Sequence, residues 1–219
     1  MDAFLQSHYI KVLPALAEGL VYTLLITFAG LAIGFVIGAA AGLARLARNR
    51  ALRLVAGTYV EIIRGTPMLA QIFFIYFGIS DLLDVNLHKL TAAVIAIAVN
   101  AGAYIAEIVR GAVDSIDRGQ TEAGRTLGLT HGQTMRFVVW PQALKRMIPP
   151  LGNQFVISLK DTSLFSVIAV GEVLYRGKQY INDTFASFEV WTMACVLYLC
   201  ITIPASLLLR RMERRMQGA

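Results

Sequence analysis

Hydrophobic and polar positions along this chain fall into long uncharged blocks separated by short basic ones. No charged residue occurs over 19–44, 65–80, 90–106, 147–159 or 190–209. A membrane-spanning helix needs about 20 mostly apolar residues, with a range of about 17–25. The first and last blocks reach that length alone. The second reaches it when extended back through 54–60, past Glu61 and Arg64, and the fourth when extended forward through 162–171, past Lys160 and Asp161. The pattern predicts an all-α polytopic membrane protein with five transmembrane helices, near 19–44, 54–80, 90–109, 148–171 and 188–209. They form a single transmembrane domain over 1–219.

Composition agrees with the pattern. The chain is 57% hydrophobic and 16% charged, with mean hydropathy +0.62. Soluble domains average about 45–50% apolar and about 25% charged. These figures exclude a disordered chain, a soluble enzyme domain and a free nucleic-acid binder, and no nucleic acid is expected as a partner. The net charge of +6 instead follows the bias of lysine and arginine toward the cytoplasmic side of a bilayer. Arg45, Arg48, Arg50 and Arg53 follow the first span. Arg110, Arg118, Arg125, Arg136, Lys145 and Arg146 follow the third, and Arg210, Arg211, Arg214 and Arg215 close the tail. The opposite side carries only Lys11, Lys89, Arg176 and Lys178. This asymmetry predicts an outside N-terminus and a cytoplasmic C-terminus. The first span is too long for a cleaved signal peptide, and Asp2, Lys11 and Glu18 precede it in place of a basic cluster.

Little here suggests catalysis. Cys195 and Cys200 lie five residues apart in the last span and are expected to be core packing residues. His8, His88 and His131 are scattered, so no metal site and no catalytic residue is expected.

Within the spans, Gly30, Gly34, Gly38 and Gly42 repeat every fourth residue, a ridge that lets another backbone approach closely. Three other spans carry polar stripes: Arg64, Met68 and Gln71, beside Gly65-Thr66-Pro67, which should bend the helix; Asn100, Tyr104 and Glu107; and Gln154, Ser158, Asp161 and Phe165. An ionised group at mid-bilayer costs at least about 2.5–3.5 kcal/mol, so Lys160 and Asp161 should not both face lipid. Two readings stand. The stripes glue helices or pair charges near the interface, or they line one polar pocket near the midplane.

The connection near 115–141 carries its own signals. Gly119 and Gly128 bracket about two helical turns over 120–127, with Ala123 and Leu127 on one face. Thr130-His131-Gly132-Gln133 has the form of a capping box opening a second short helix, ended by Pro141. Two short helices across the cytoplasmic face suit a docking element. No P-loop is present, so ATP chemistry would have to come from another subunit.

Glu122-Ala123-Gly124, three residues, Gly128, nine residues, then Val138-Val139-Trp140-Pro141 resembles the E-A-A-x₃-G-x₉-I-x-L-P signature of ABC importer permeases. Gly124 stands where the signature has its second Ala, and Val138 and Trp140 stand for Ile and Leu. Further matches run over Glu61-Ile-Ile-Arg-Gly-Thr-Pro67, Asn100-Ala-Gly-Ala-Tyr-Ile-Ala-Glu107, Pro149-Pro-Leu-Gly-Asn-Gln154 and Lys160-Asp-Thr-Ser-Leu164. Together they resemble the polar amino-acid branch of that family, the glutamine/histidine/arginine type, over nearly the whole chain.

The resemblance implies a type I importer permease of a bacterial inner membrane. Two permease subunits, identical or paralogous, would pair, each docking one subunit of an ABC ATPase dimer that binds ATP and Mg. An extracytoplasmic binding protein would deliver a polar amino acid. The permease would hold no cofactor of its own. Glu122, Ala123, Gly124 and Gly128 would form the coupling helix, with Glu122 contacting the ATPase.

A zwitterionic substrate needs acceptors for its ammonium and donors for its carboxylate. Asp161 is the expected acceptor, with Thr162, Ser163, Asn100 and the Gly65-Thr66 backbone serving the rest, and Gln154, Ser158, Tyr104 and Arg64 on the same stripes. Neutral Gln154 favours a neutral substrate such as glutamine. The alternative is a small channel or secondary transporter working without ATP.

Overall fold

The computed structural model describes residues 7–217, with side chains as far as Arg214. Asp2 of the N-terminal segment and the Arg215 side chain of the basic tail lie outside the described residues. Every regular element among the described residues is helical. A turn at His8–Lys11 leads into α1 (Leu13–Leu46) and then α2 (Arg50–Gly65), which opens on Asn49 accepting from the amides of Ala51 and Leu52. α3 (Met68–Phe73) runs on through a π-helical stretch, Phe74–Ile79, and a last turn, Ser80–Leu83. α4 (Lys89–Asp114) and the short α5 (Arg118–Thr126) follow. A turn at His131–Thr134 and a π-helical stretch, Met135–Val139, lead into α6 (Trp140–Asp161). A 3-10 segment, Thr162–Ile168, then α7 (Val173–Thr184) and α8 (Ser187–Gln217) complete the chain.

Three helical stretches are long and apolar enough to cross a membrane: His8–Leu46, Lys89–Asp114 and Ser187–Arg214. They match the first, third and fifth expected spans. The second is not one helix. α2 and the helix from Met68 to Leu83 meet at 108°, and only as a pair are they long enough to span. Pro67 supplies the reason: it lacks an N–H and pushes Thr66 to an extended conformation (φ −116°, ψ 145°). The fourth expectation also needs correction. α6 begins at Trp140 rather than near 148, carries Lys145, Arg146, Lys160 and Asp161, and tightens into the 3-10 segment before 171. It does not qualify as an apolar span by length and composition.

Pro141 does not end a short helix as expected. It sits in the first turn of α6, where a missing N–H breaks no bond within that helix, and the π-helical stretch before it carries the chain through. Both cysteines prove exposed, not packed in a core. α8 buries little of its surface and leaves Val196, Leu199 and Ile203 open as well, so most of its positions face outward.

α1 and α4 form the most extensive helix pair, and the glycine ridge lies between them within this one chain. A Cβ added at Gly30 would stand 2.6 Å from Ile97 Cβ, at Gly34 2.9 Å from the Ala98 carbonyl, at Gly38 2.7 Å from the Gly102 carbonyl, and at Gly42 2.7 Å from Val109 Cβ. The backbones are therefore as close as glycine permits. Gly38→Leu should force α1 and α4 apart and lower the melting temperature in detergent, at a cost of about 1–3 kcal/mol or more. Gly57 of α2 meets nothing within 4 Å, so Gly57→Ala should leave the melting temperature equal or slightly raised. Equal melting of both variants would show that the ridge carries no packing load.

Candidate functional site

The structure sorts the expected polar residues into three groups. The first closes the break between α2 and α3. A helix end leaves carbonyls without partners, and the bend at Pro67 exposes those of the last turn of α2. The Gln71 amide shares its N–H groups among the Ile63 carbonyl (2.7 Å), the Thr66 carbonyl (3.1 Å) and Thr66 Oγ1 (2.9 Å). Asn100 of α4 donates to Gln71 Oε1 at 2.9 Å, and the Thr66 hydroxyl donates back to the Ile62 carbonyl at 2.9 Å. Beside this group lies a cleft of about 430 Å³ between α2, α3 and α4, lined by Ile62, Ile95 and Val99 and by only two polar residues, Thr66 and Gln71. None of its lining residues comes from α6.

The second group is an ion cluster. Glu107 pairs with Arg45 at the end of α1 and with Arg110, while Arg64 reaches it at 3.8 Å. Arg110 also pairs with Asp114 at 2.5 Å. The Arg64 guanidinium lies over the Tyr104 ring, 5.4 Å from its centre. Arg64 and Tyr104, expected to face substrate, are thus engaged in tying α1, α2 and α4 together.

The third group lies on α6 and its continuation. Gln154 and Ser158 are buried and joined by a 3.2 Å hydrogen bond. One turn on, Asp161 is half-buried at the helix end, while its neighbour Lys160 is exposed. Thr162 is fully buried and donates to the Leu159 carbonyl at 2.6 Å. Ser163 is half-buried, and its carbonyl accepts from the Ser166 hydroxyl at 2.8 Å. Gln154, Ser158, Asp161, Thr162 and Ser163 therefore form one continuous polar run, separate from the lining of the cleft.

The 115–141 segment is closed by caps at both ends of its short helix. Asp117 caps α5 by accepting from the Gly119 amide at 2.7 Å. Gly128, at φ +83°, ends it: the Gly128 amide donates to the Arg125 carbonyl and the Leu129 amide to the Gly124 carbonyl, at 3.0 and 3.1 Å. That pair of bonds is the Schellman closure, which needs a left-handed residue here. Thr130 and Gln133 form the expected reciprocal capping box. Gly124 packs on Thr134, where a Cβ would stand 2.8 Å from Thr134 Cγ2. The close approach explains glycine in place of the alanine of the related signature. Gln142 of α6 donates to Gln120, holding α5 against α6, and Arg146 of α6 donates to the carbonyl and hydroxyl of Ser115 at the end of α4. Glu122, Ala123 and Leu127 stay exposed, Leu127 at 82%, so the apolar positions read from the sequence point away from the chain's own core.

Composition and periodicity did not single out Glu172. It is fully buried at the start of α7, its carboxylate accepting from the amides of Leu174 (2.9 Å) and Tyr175 (2.6 Å). Burial pushes its carboxyl up to about 7, opposed by those amides and by Tyr198. The signal in the sequence was a lone carboxylate in the stretch Val170-Gly171-Glu172-Val173-Leu174.

A family model described as binding-protein-dependent transport system inner membrane component matches residues 30–218. The glutamine transport system permease protein GlnP of Escherichia coli (strain K12) is 50% identical over 206 residues, covering 94% of each chain. The probable glutamine ABC transporter permease protein GlnP of Bacillus subtilis (strain 168) is 37% identical over 219 residues, 98% of each. Among solved structures, one described as an amino acid ABC transporter with histidines superposes with a TM-score of 0.91 at 38% identity, covering 94% of this chain and 96% of that one. The inward-facing MetNI methionine ABC transporter shares the fold, with a TM-score of 0.79 at 23% identity. By sequence over most of its length and by fold, this chain belongs to the binding-protein-dependent transport system inner membrane components, the permeases of ABC importers.

Proposed function

We propose that the chain is the permease subunit of an ATP-driven importer whose substrate is a neutral polar amino acid, glutamine above others. The observation that carries the substrate class is the run on α6, where a buried, uncharged Gln154–Ser158 pair stands one turn from the Asp161 carboxylate. A carboxylate at the end of a polar run suits an ammonium group, and Thr162 and Ser163 follow it directly. A cationic side chain would call for a second carboxylate at position 154. The glutamine-transport relatives support the same choice.

In this reading the chain crosses the bacterial inner membrane five times, with the bent α2–α3 pair as one crossing and α6 with its 3-10 continuation as another. The N-terminus is outside, which puts α5 in the cytoplasm and α7 at the outer surface. Two permeases, identical or paralogous, pair in the membrane. An ABC ATPase dimer, which binds ATP and Mg, docks on the exposed Glu122–Ala123–Leu127 face of α5, and a binding protein delivers the amino acid from outside. Closure of the ATPase pushes α5, and the Gln120–Gln142 bond to α6, which Arg146 in turn ties to Ser115 at the end of α4, carries that push into the spans.

Reconstitution tests this. Vesicles holding permease, ATPase and binding protein should take up glutamine only with ATP, and in preference to arginine. Equal uptake by the permease alone would mark a channel or secondary transporter instead. Equal preference for arginine would remove the substrate assignment.

A further inference from the structure

Glu172 is a fully buried carboxylate with no cationic partner among the described residues, in a packed cluster formed by α1, α7 and α8. Taking such a group out of water is costly unless it is well bonded. Its two amide bonds hold the first turn of α7, and the other hydrogen-bonding group beside it among the described residues is the Tyr198 hydroxyl of α8, 3.5 Å from Oε2. The same hydroxyl faces Thr162 of the 3-10 segment and Thr23 of α1.

A phenol has one proton to donate. When Glu172 is ionised, two oxygens can only accept that proton, Glu172 Oε2 and Thr162 Oγ1, while the Thr23 hydroxyl has a proton of its own to give to the phenol oxygen. Thr162 has already given its own proton to the Leu159 carbonyl and can only accept. Thr23 Oγ1 is buried without a hydrogen-bonded partner in this arrangement, and the bond to Glu172 is long. The single Tyr198 proton thus goes either to Glu172 or to Thr162, and turning the hydroxyl moves that bond from the first turn of α7 to the 3-10 segment. A Cβ at Gly19 would stand 2.8 Å from the Glu172 carbonyl carbon, so α1 packs directly on this junction.

We propose that Glu172 and Tyr198 are positioning residues for transport: a buried strut, running from Thr162 through the Tyr198 hydroxyl to the first turn of α7, that sets the outer helix according to the arrangement of the segment beginning at Asp161. The inference rests on the proposed function, because Thr162 belongs to the polar run assigned to substrate. Neither strut residue touches substrate. They act through the helices they join.

The test uses the full complex in lipid vesicles, with glutamine as the transported probe. Tyr198→Phe removes one hydroxyl and keeps the ring. It should leave ATPase retention unchanged and lower the melting temperature by no more than the loss of one buried hydrogen bond, while lowering maximal uptake by about two- to tenfold, with KM for the loaded binding protein unchanged. Combined with Glu172→Gln, it should lower the rate no further than the worse single variant, since coupled groups are not additive. A wild-type rate in Tyr198→Phe overturns the strut, as do additive losses.

A second readout does not need transport. A spin label at exposed position 178 of α7, with Cys195 and Cys200 replaced by Ser, should become more mobile in Tyr198→Phe. Unchanged mobility overturns the strut even if uptake of any kind is lost. Absence of ATP-dependent glutamine uptake by the wild-type complex counts against the proposed function, and the label then decides the strut alone.

Discussion

Glu122→Arg is expected to strip the ATPase from the purified complex and abolish ATP-driven uptake, while the permease remains folded. Glu122 is exposed on α5, its carboxylate accepts no hydrogen bond among the described residues, and the Thr126 hydroxyl bonds only its backbone carbonyl, which the substitution keeps. Changes at such surface positions cost about 0.5 kcal/mol or less. At a docked interface the balance differs. Removing one partner of a desolvated charge pair costs about 2–5 kcal/mol, and a reversed charge adds repulsion, so affinity should fall by at least about thirtyfold. Pull-down of the ATPase on tagged permease, with melting temperature as the control for folding, reads this out. Full retention of the ATPase by the variant would remove Glu122 from the interface.

Asp161→Ala should have an effect of similar size on uptake while leaving the ATPase in place. The carboxylate accepts no hydrogen bond among the described residues, and the charge acting on it most directly is its neighbour Lys160. It is therefore available to a substrate ammonium, and its loss removes a charge-assisted bond in a partly dehydrated site. That bond is worth about 2–5 kcal/mol when desolvated, which sets a loss in uptake of at least about thirtyfold. Normal uptake by Asp161→Ala would displace the site from α6. Gln154→Glu gives the companion result. A second carboxylate one stripe position away should turn preference from glutamine toward arginine, measured by competition between the two labelled amino acids. An unchanged preference would mean that position 154 does not read charge.

Much of this arrangement was legible without coordinates. The uncharged blocks located the three long helices because a span must be apolar along its whole length. The Gly65-Thr66-Pro67 break was readable because proline removes a backbone donor wherever it stands. The caps at Thr130 and Gly128 rest on local geometry and followed from three or four adjacent residues. Other features were not local. The spacing of Asn100, Tyr104 and Glu107 places them on one helical stripe but does not say what that stripe faces. Asn100 meets Gln71 at the break, whereas Glu107 gathers Arg45, Arg64 and Arg110. Periodicity gives direction around one helix axis, and only packing gives a direction its partner.

The same division holds for the whole molecule. The sequence by itself determined the apolar helical class, the glycine ridge, the short helix between Gly119 and Gly128, and the family. Each of these depends on residue type and on spacing within one helix. Tertiary structure alone decided that the ridge packs on α4 of the same chain, that α2 and α3 bend by 108° at Pro67, and that α6 begins at Trp140 and gives way to a 3-10 segment. It also brought Glu172 to the hydroxyl of Tyr198, 26 residues further along. Burial of that carboxylate is set by α1, α7 and α8 closing around it, a condition that no stretch of sequence contains.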